Sequence, residues 1–344
     1  MALQSATLGR FWLGAQTAKG SVSTQNSGNL YAFKANLVDV APAQMVRNVG
    51  QLVGGSFLPG GSIKTAAWSG GAMVCPPPLE SSIGWLLHAF AGTVSTTDNG
   101  DSTYTHAFPS AADDTAPAKY LTARRQIPAG TTLYEQMLDQ VPYRLLFAFA
   151  PGEYATMRAE MIGRTFTSET APGWTFANAE DEDSVPIACK GHFELPDATP
   201  VTTATGVSLE LVNIIPPLQR VLTVGNYYPF DFPVLGRALT VSFSHLWEDK
   251  TLYESLYYST GEWNPVQYSS SFELEVQSPG FITGALPYKL NFYGQTVDWS
   301  CQPLRLAGGD LVEMQMTGTV VDSSSGSDWY LALTNGAADY TWPT

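Results

Sequence analysis

Charge is what this sequence has least of. Only 14% of its 344 residues are Asp, Glu, Lys or Arg, against about 25% in an ordinary soluble domain. Positive charge is scarcest, with 17 Lys and Arg against 31 Asp and Glu, so the formal net charge is −14. A protein that grips nucleic acid needs clustered cations to displace counterions from phosphates. That class is excluded, and the acidic balance repels phosphate instead. Cysteine is nearly absent: Cys75, Cys189 and Cys301 stand far apart, without CxxC or Cys/His metal spacing, and read as buried free thiols of a reducing compartment. The four histidines, His88, His106, His192 and His245, share no partner spacing. GxSxG, HExxH, a P-loop and a GxGxxG after a strand are all missing. No run reaches the ~18 apolar residues of a membrane span, and the opening residues lack the charged-then-apolar plan of a signal peptide.

These absences give no catalytic, cofactor-binding or metal-binding residue, and the chain reads as not an enzyme. Two acidic stretches invite a different reading and do not sustain it. "TDNGDS" (Thr97–Ser102) lacks the Glu that an EF-hand loop carries at its twelfth position, and reads as an Asn-Gly hairpin turn. "EDED" (Glu180–Asp183) reads as a solvated loop rather than a paired-carboxylate site. The expectation is a protein made in a cytoplasm that stays soluble until it assembles, with no membrane contact.

What is present is grease. Hydrophobic residues make up 44% of the chain and aromatics 12%, ample for a large core. So little charge around so much apolar surface suits an assembly subunit whose exposed patches have an intended partner. Strand signals dominate, in "SIKTAAWSG" (Ser62–Gly70), "ALTVSFSHLW" (Ala238–Trp247), "SFELEVQ" (Ser271–Gln277) and "VEMQMTGTVV" (Val312–Val321). Two segments are helical: "ESSIGWLLHAFAG", with Ser81 or Ser82 as N-cap and Gly92 as stop, and "EDKTLYESLYYSTG".

An internal repeat organises these pieces. "LVDVAPAQ" (Leu37–Gln44) matches "LVNIIPPLQ" (Leu211–Gln219). A long apolar loop follows each, Met45–Gly61 and Arg220–Gly236, then a strand pairing Gly61 with Gly236, Thr65 with Thr240 and Trp68 with Phe243, then one helix. Later, "AEMIGRTF" (Ala159–Phe166) lines up with "MQMTGTVV" (Met314–Val321) through Met161/Met316 and Gly163/Gly318. The chain is therefore expected to be mainly β, built as two tandem sandwich or barrel domains, residues 1–175 and 176–344, each flanked by one short helix.

The N-terminal "LGRFWLGAQTAKGSV", the strand "GGSIKTAAWSG", and the order "GWLLHAFAG…TYTHAF" from Gly84 to Phe108 resemble the tail tube proteins of long-tailed, siphovirus-type bacteriophages. The resemblance implies a β-sandwich-like domain with one helix, in six-domain rings whose inner strands close into a barrel and which stack as a hollow non-contractile tube in the virion tail. Two domains per chain then imply homotrimeric, pseudo-sixfold rings, with homohexameric rings as the alternative. The implied partners are further copies of the chain, a tape-measure protein and other tail proteins, while double-stranded DNA passes through the lumen, without specific binding, during genome ejection. In that family the long loop reaches the next ring, so the resemblance implies Val49, Leu52, Val53, Phe57 and Leu58 of the first loop as candidate stacking residues, together with Tyr227, Tyr228, Phe230, Phe232, Val234 and Leu235 of the second. A viral carbohydrate- or receptor-binding sandwich is the alternative function; it accounts for the aromatics but not for the doubled plan.

Overall fold

A computed structural model describes residues 9–25, 32–48, 61–110, 119–128, 131–169, 174, 182–196, 199–247, 250–259, 261–302, 304, 311–322 and 328–343. The protein is mainly β. In residues 1–175 the strands are β1 (Arg10–Ala15), β2 (Leu37–Val38), β3 (Ala41–Asn48), β4 (Ser62–Cys75), β5 (Ser95–Asp98), β6 (Tyr104–Pro109), β7 (Leu121–Ile127), β8 (Leu133–Phe149), β9 (Thr156–Gly163) and β10 (Thr165–Glu169). In residues 176–344 they are β11 (Ile187–Glu194), β12 (Ala204–Ile214), β13 (Gly236–Leu246), β14 (Tyr258–Ser259), β15 (Glu262–Trp263), β16 (Ser269–Thr283), β17 (Leu286–Cys301), β18 (Glu313–Val320) and β19 (Trp329–Asn335). Three short α-helices, α1 (Ser82–Ala91), α2 (Leu218–Val221) and α3 (Thr251–Tyr257), and a 3-10 turn at Glu182–Ser184 complete the described elements.

Strand pairing follows one plan in each part of the chain, and every ladder is antiparallel. In the first, β8 pairs with β7 and β9, β7 with β1, β9 with β4, and β4 with β2 and β3, while β10 continues from β9 along the first half of β8. In the second, β17 pairs with β16 and β18, β16 with β11, β18 with β13, and β13 with β12, while β19 continues from β18 along the first half of β17. A helix follows β4 in one and β13 in the other, and a hairpin follows each helix, β5–β6 or β14–β15.

The two parts share one core. The second half of β8 adds β12 to its free edge, with Leu145 opposite Leu211 and Phe147 opposite Leu209. Phe147 also meets Phe292 of β17 edge-on, with ring centroids 5.0 Å apart. β19 returns to pair with β6. The residues after it cross α1, where His88 Nδ1 donates to the Tyr340 carbonyl at 2.7 Å and Trp342 Nε1 to the Gln16 carbonyl at 2.7 Å. Asn213, buried at the junction, donates to the carbonyls of Phe90 and Pro142.

Local chemistry explains the ends. Gly92 closes α1 in the left-handed conformation (φ 86°) and its N–H reaches the His88 carbonyl, the role that favours glycine there. The "TDNGDS" stretch is the β5–β6 hairpin loop: Asp98 accepts from Gly100 N–H and Asp101 from Thr103 N–H. The expected "GSIKTAAWS" strand runs on to Cys75, and β3 takes up the first residues of the predicted loop at Met45.

Candidate assembly surfaces

The second apolar loop begins where Pro216 and Pro217 end β12, since neither offers an N–H to a ladder. After α2 the chain runs without regular structure until Leu235 N–H donates to the Ile214 carbonyl at 2.7 Å. It lies against residues of the first part. Ala67 N–H donates to the Tyr227 carbonyl at 2.8 Å, and Arg164 Nε to the Pro229 carbonyl at 2.9 Å. Asp231 is the anchor: Lys19 Nζ sits 2.9 Å from its carboxylate, Tyr120 Oη donates to it at 2.8 Å, and Lys19 lies 4.1 Å from the centre of the Phe230 ring. Arg164 is held in turn by fully buried Asp139, at 2.9 Å. The Tyr120 hydroxyl is pushed well above its ordinary pKa by burial first and then by Asp231, so it stays a donor.

This placement divides the predicted stacking residues. Tyr227, Phe230 and Leu235 are exposed, at 64%, 65% and 60%. Tyr228 is turned edge-on to Phe166 at 6.1 Å, and Val234 is half-buried. Phe232 is a correction: it is 1% exposed, packed inside its own chain for a gain of about 1.5–3 kcal/mol, and cannot reach a neighbour. Val49, Leu52, Val53, Phe57 and Leu58 lie outside the described residues. The Asp231 anchor is invisible in sequence, because a lone Asp between two phenylalanines does not declare partners over a hundred residues away.

A second surface comes from the period-two alternation of the strands. Leu209, Leu211, Val241, Phe243, Met314 and Met316 face the core; the residues between them face out. Their registers build rows across five ladders: Arg158, Leu146, Glu210, Thr240, Thr319 and Asp298 in one, Thr156, Ala148, Ser208, Ser242, Thr317 and Ser300 in the next. Both arginines on this face are occupied. Arg144 Nε is 2.6 Å from Glu210 and Arg158 Nε 2.7 Å from Glu160. Burial raises the Glu160 carboxyl pKa, but hydrogen bonds from Arg158 and Tyr143 and the two guanidinium charges outweigh it, leaving the pKa lowered. The face is a carpet of short hydroxyls with its cations already neutralised.

A family model for the phage tail tube protein matches residues 8–301. The chain belongs to the phage tail tube protein family. No curated protein matches the sequence. Membership makes the protein a structural component of the virion tail, assembling with itself and other tail proteins into a tube. His88 and His106 are buried beneath the C-terminal segment, and exposed His192 pairs with Glu194. Among the described residues no cluster of His, Cys, Asp and Glu could hold a metal ion, and no helix is long and apolar enough to cross a membrane.

Proposed function

We propose that this chain is the repeating subunit of a non-contractile tail tube, in which three copies form a pseudo-sixfold ring of halves 1–175 and 176–344. Rings stack into a hollow tube through which double-stranded DNA leaves the capsid during genome ejection, around or after a tape-measure protein. The observation that carries the reading is the shared pairing plan of the two halves together with the β8–β12 junction. That junction is lateral strand addition, which extends a sheet without limit until a ring closes it.

The residue-level match is looser than the plan. Phe243 lies opposite Met316 and Val241 opposite Gly318, whereas Met161 lies opposite Gly71 and Gly163 opposite Ser69. The ladders thus shift the correspondence by three residues from the match of Trp68 with Phe243. Duplicated topology tolerates such drift, because a bulge or a lengthened arm resets register without changing neighbours.

The hydroxyl-rich face suits the lumen. Each unpaired cation there would hold DNA by releasing counterions and so brake its passage, and Arg144 and Arg158 are both held by carboxylates. Tyr227, Phe230 and Leu235 supply the stacking contacts, where burial against the next ring recovers about 1.5–3 kcal/mol for each large side chain. Electron microscopy across a concentration series tests the proposal. The expected result is hollow tubes whose rotational average shows three chains per ring; six chains per ring would sink the pseudo-sixfold arrangement. Compact particles at every concentration, with the other tail proteins supplied, would overturn the tube itself.

A further inference from the structure

The helices α1 and α3 occupy the same place in the pairing plan and meet opposite fates. All ten residues of α1 are buried; none of the seven of α3 is. The cause is visible in the first part. There β6 takes β19 on its edge, from Tyr104 opposite Asn335 to Pro109 opposite Tyr330, and the residues after β19 then cover α1. The corresponding hairpin after α3 has Tyr258 paired with Trp263 and Ser259 with Glu262, and no third strand joins it among the described residues. Its apolar side chains and that of Val266 just after it are left open: Tyr258 is 43% exposed, Trp263 72% and Val266 68%.

The strand that would fit is also on the page. β10 holds in the first part the position that β19 holds in the second, pairing with the starting half of the long strand. β19 uses both edges, on β17 and β6, while β10 has one ladder partner, β8, among the described residues. Its sequence, TFTSE, carries no Pro or Lys of the kind that blunts an exposed edge. The helix α3, from which the hairpin β14–β15 directly follows, sits against β17, where Tyr257 Oη donates to the Cys301 carbonyl at 2.9 Å. In the run β8–β12–β13–β18–β17 that is the far end from the junction within the chain.

We infer that β10 of a second copy of this chain pairs with the free edge of β15, and that the covering of Tyr258, Trp263 and Val266 by that copy is the contact that propagates the ring. The inference rests on the self-assembly proposed above and names its interface: the contact between chains repeats the β6–β19 contact within one chain.

A cysteine pair tests it in the full-length protein. Cys189 and Cys301 are replaced by Ser, Thr167→Cys is placed on β10 and Glu262→Cys on β15, and a short bismaleimide is added during assembly. Interchain cross-links are expected from the double variant and from neither single variant. Separately, Trp263→Glu, at an exposed position where circular dichroism should show the fold unchanged, is expected to raise the protein concentration needed for assembly at least tenfold. Tubes that form without cross-links, with Trp263→Glu assembling like the parent, would overturn the interface and leave the tube proposal standing. Cross-linked chains without tubes would uphold the interface against the tube. Protein that stays monomeric and uncross-linked at every concentration would sink both.

Discussion

Gly84 on α1 presses against the ring of Tyr340: a Cβ added at Gly84 would lie 2.2 Å from the tyrosine Cζ. The ring cannot swing away, because its hydroxyl donates to the Ser81 carbonyl at 2.7 Å and accepts from Asn335 Nδ2 at 2.8 Å. A glycine costs a helix about 1 kcal/mol relative to alanine, so this one is retained for close approach, not for helix propensity.

Gly84→Ala should therefore destabilise the protein despite its better propensity, by about 1–3 kcal/mol, the usual cost of overpacking a closed core. Urea unfolding checks the sign. The double variant Gly84→Ala/Tyr340→Leu should lose less than the sum of the two single changes, because the clash and the ring disappear together. Strict additivity would show that the contact is not the cause.

The same region sets a pH response. Burial lowers the His88 pKa from 6.5 to about 4, and burial also lowers that of His106. A depressed histidine binds its proton more readily in the unfolded chain, so stability falls as pH drops from about 6.5 towards 4 and levels off below. For His88 the loss is on the order of 3 kcal/mol by pH 4. Denaturant midpoints at pH 7.5 and 5 should differ more in the parent than in His88→Gln. Equal slopes in the two proteins would exclude His88 as the source.

Regular chemistry was legible in the sequence; long-range closure was not. The stripe Ile83, Leu86, Leu87 and Phe90 and the stop at Gly92 declare α1, and alternation declares β13 and β18, because these signals are periodic and local. The sequence also suggests two similar halves. It does not reveal that β19 leaves its own half for β6, or that His88 lies under Tyr340, since those contacts join residues more than two hundred positions apart and leave no periodic trace. For the same reason the loop Arg220–Gly236 reads as uniformly greasy, although Phe232 is buried while Val224, Tyr227, Phe230 and Leu235 are largely open.

That division of the loop can be probed through its anchor. Asp231→Ala removes the partner of Lys19 and Tyr120 together, and should cost about 1 kcal/mol, since half-buried hydrogen-bonding groups lose their acceptor. The consequence should be local. Amide exchange across residues 222–235 should accelerate at least tenfold while β12 and β13 keep their protection. Unchanged exchange would mean that Phe232 and the hydrogen bonds from Ala67 and Arg164 hold the loop without Asp231.

The neutralised arginines make the sharpest prediction for the tube. Arg144 and Arg158 lie within reach of Glu160 and Glu210, and these half-exposed pairs contribute little to folding, less than about 1 kcal/mol each. Glu160→Gln with Glu210→Gln should leave thermal stability nearly unchanged while releasing two cations per chain onto the hydroxyl face. If that face lines the bore, assembled double-variant tubes should retain double-stranded DNA at low salt, release it steeply as salt rises, and differ from parent tubes that retain none. The salt dependence is the discriminating readout, because contact with phosphates gives a logarithmic slope proportional to the number of charges engaged. Retention that ignores salt would point to trapping, and equal retention by both tubes would move the lumen to another face of the sheet.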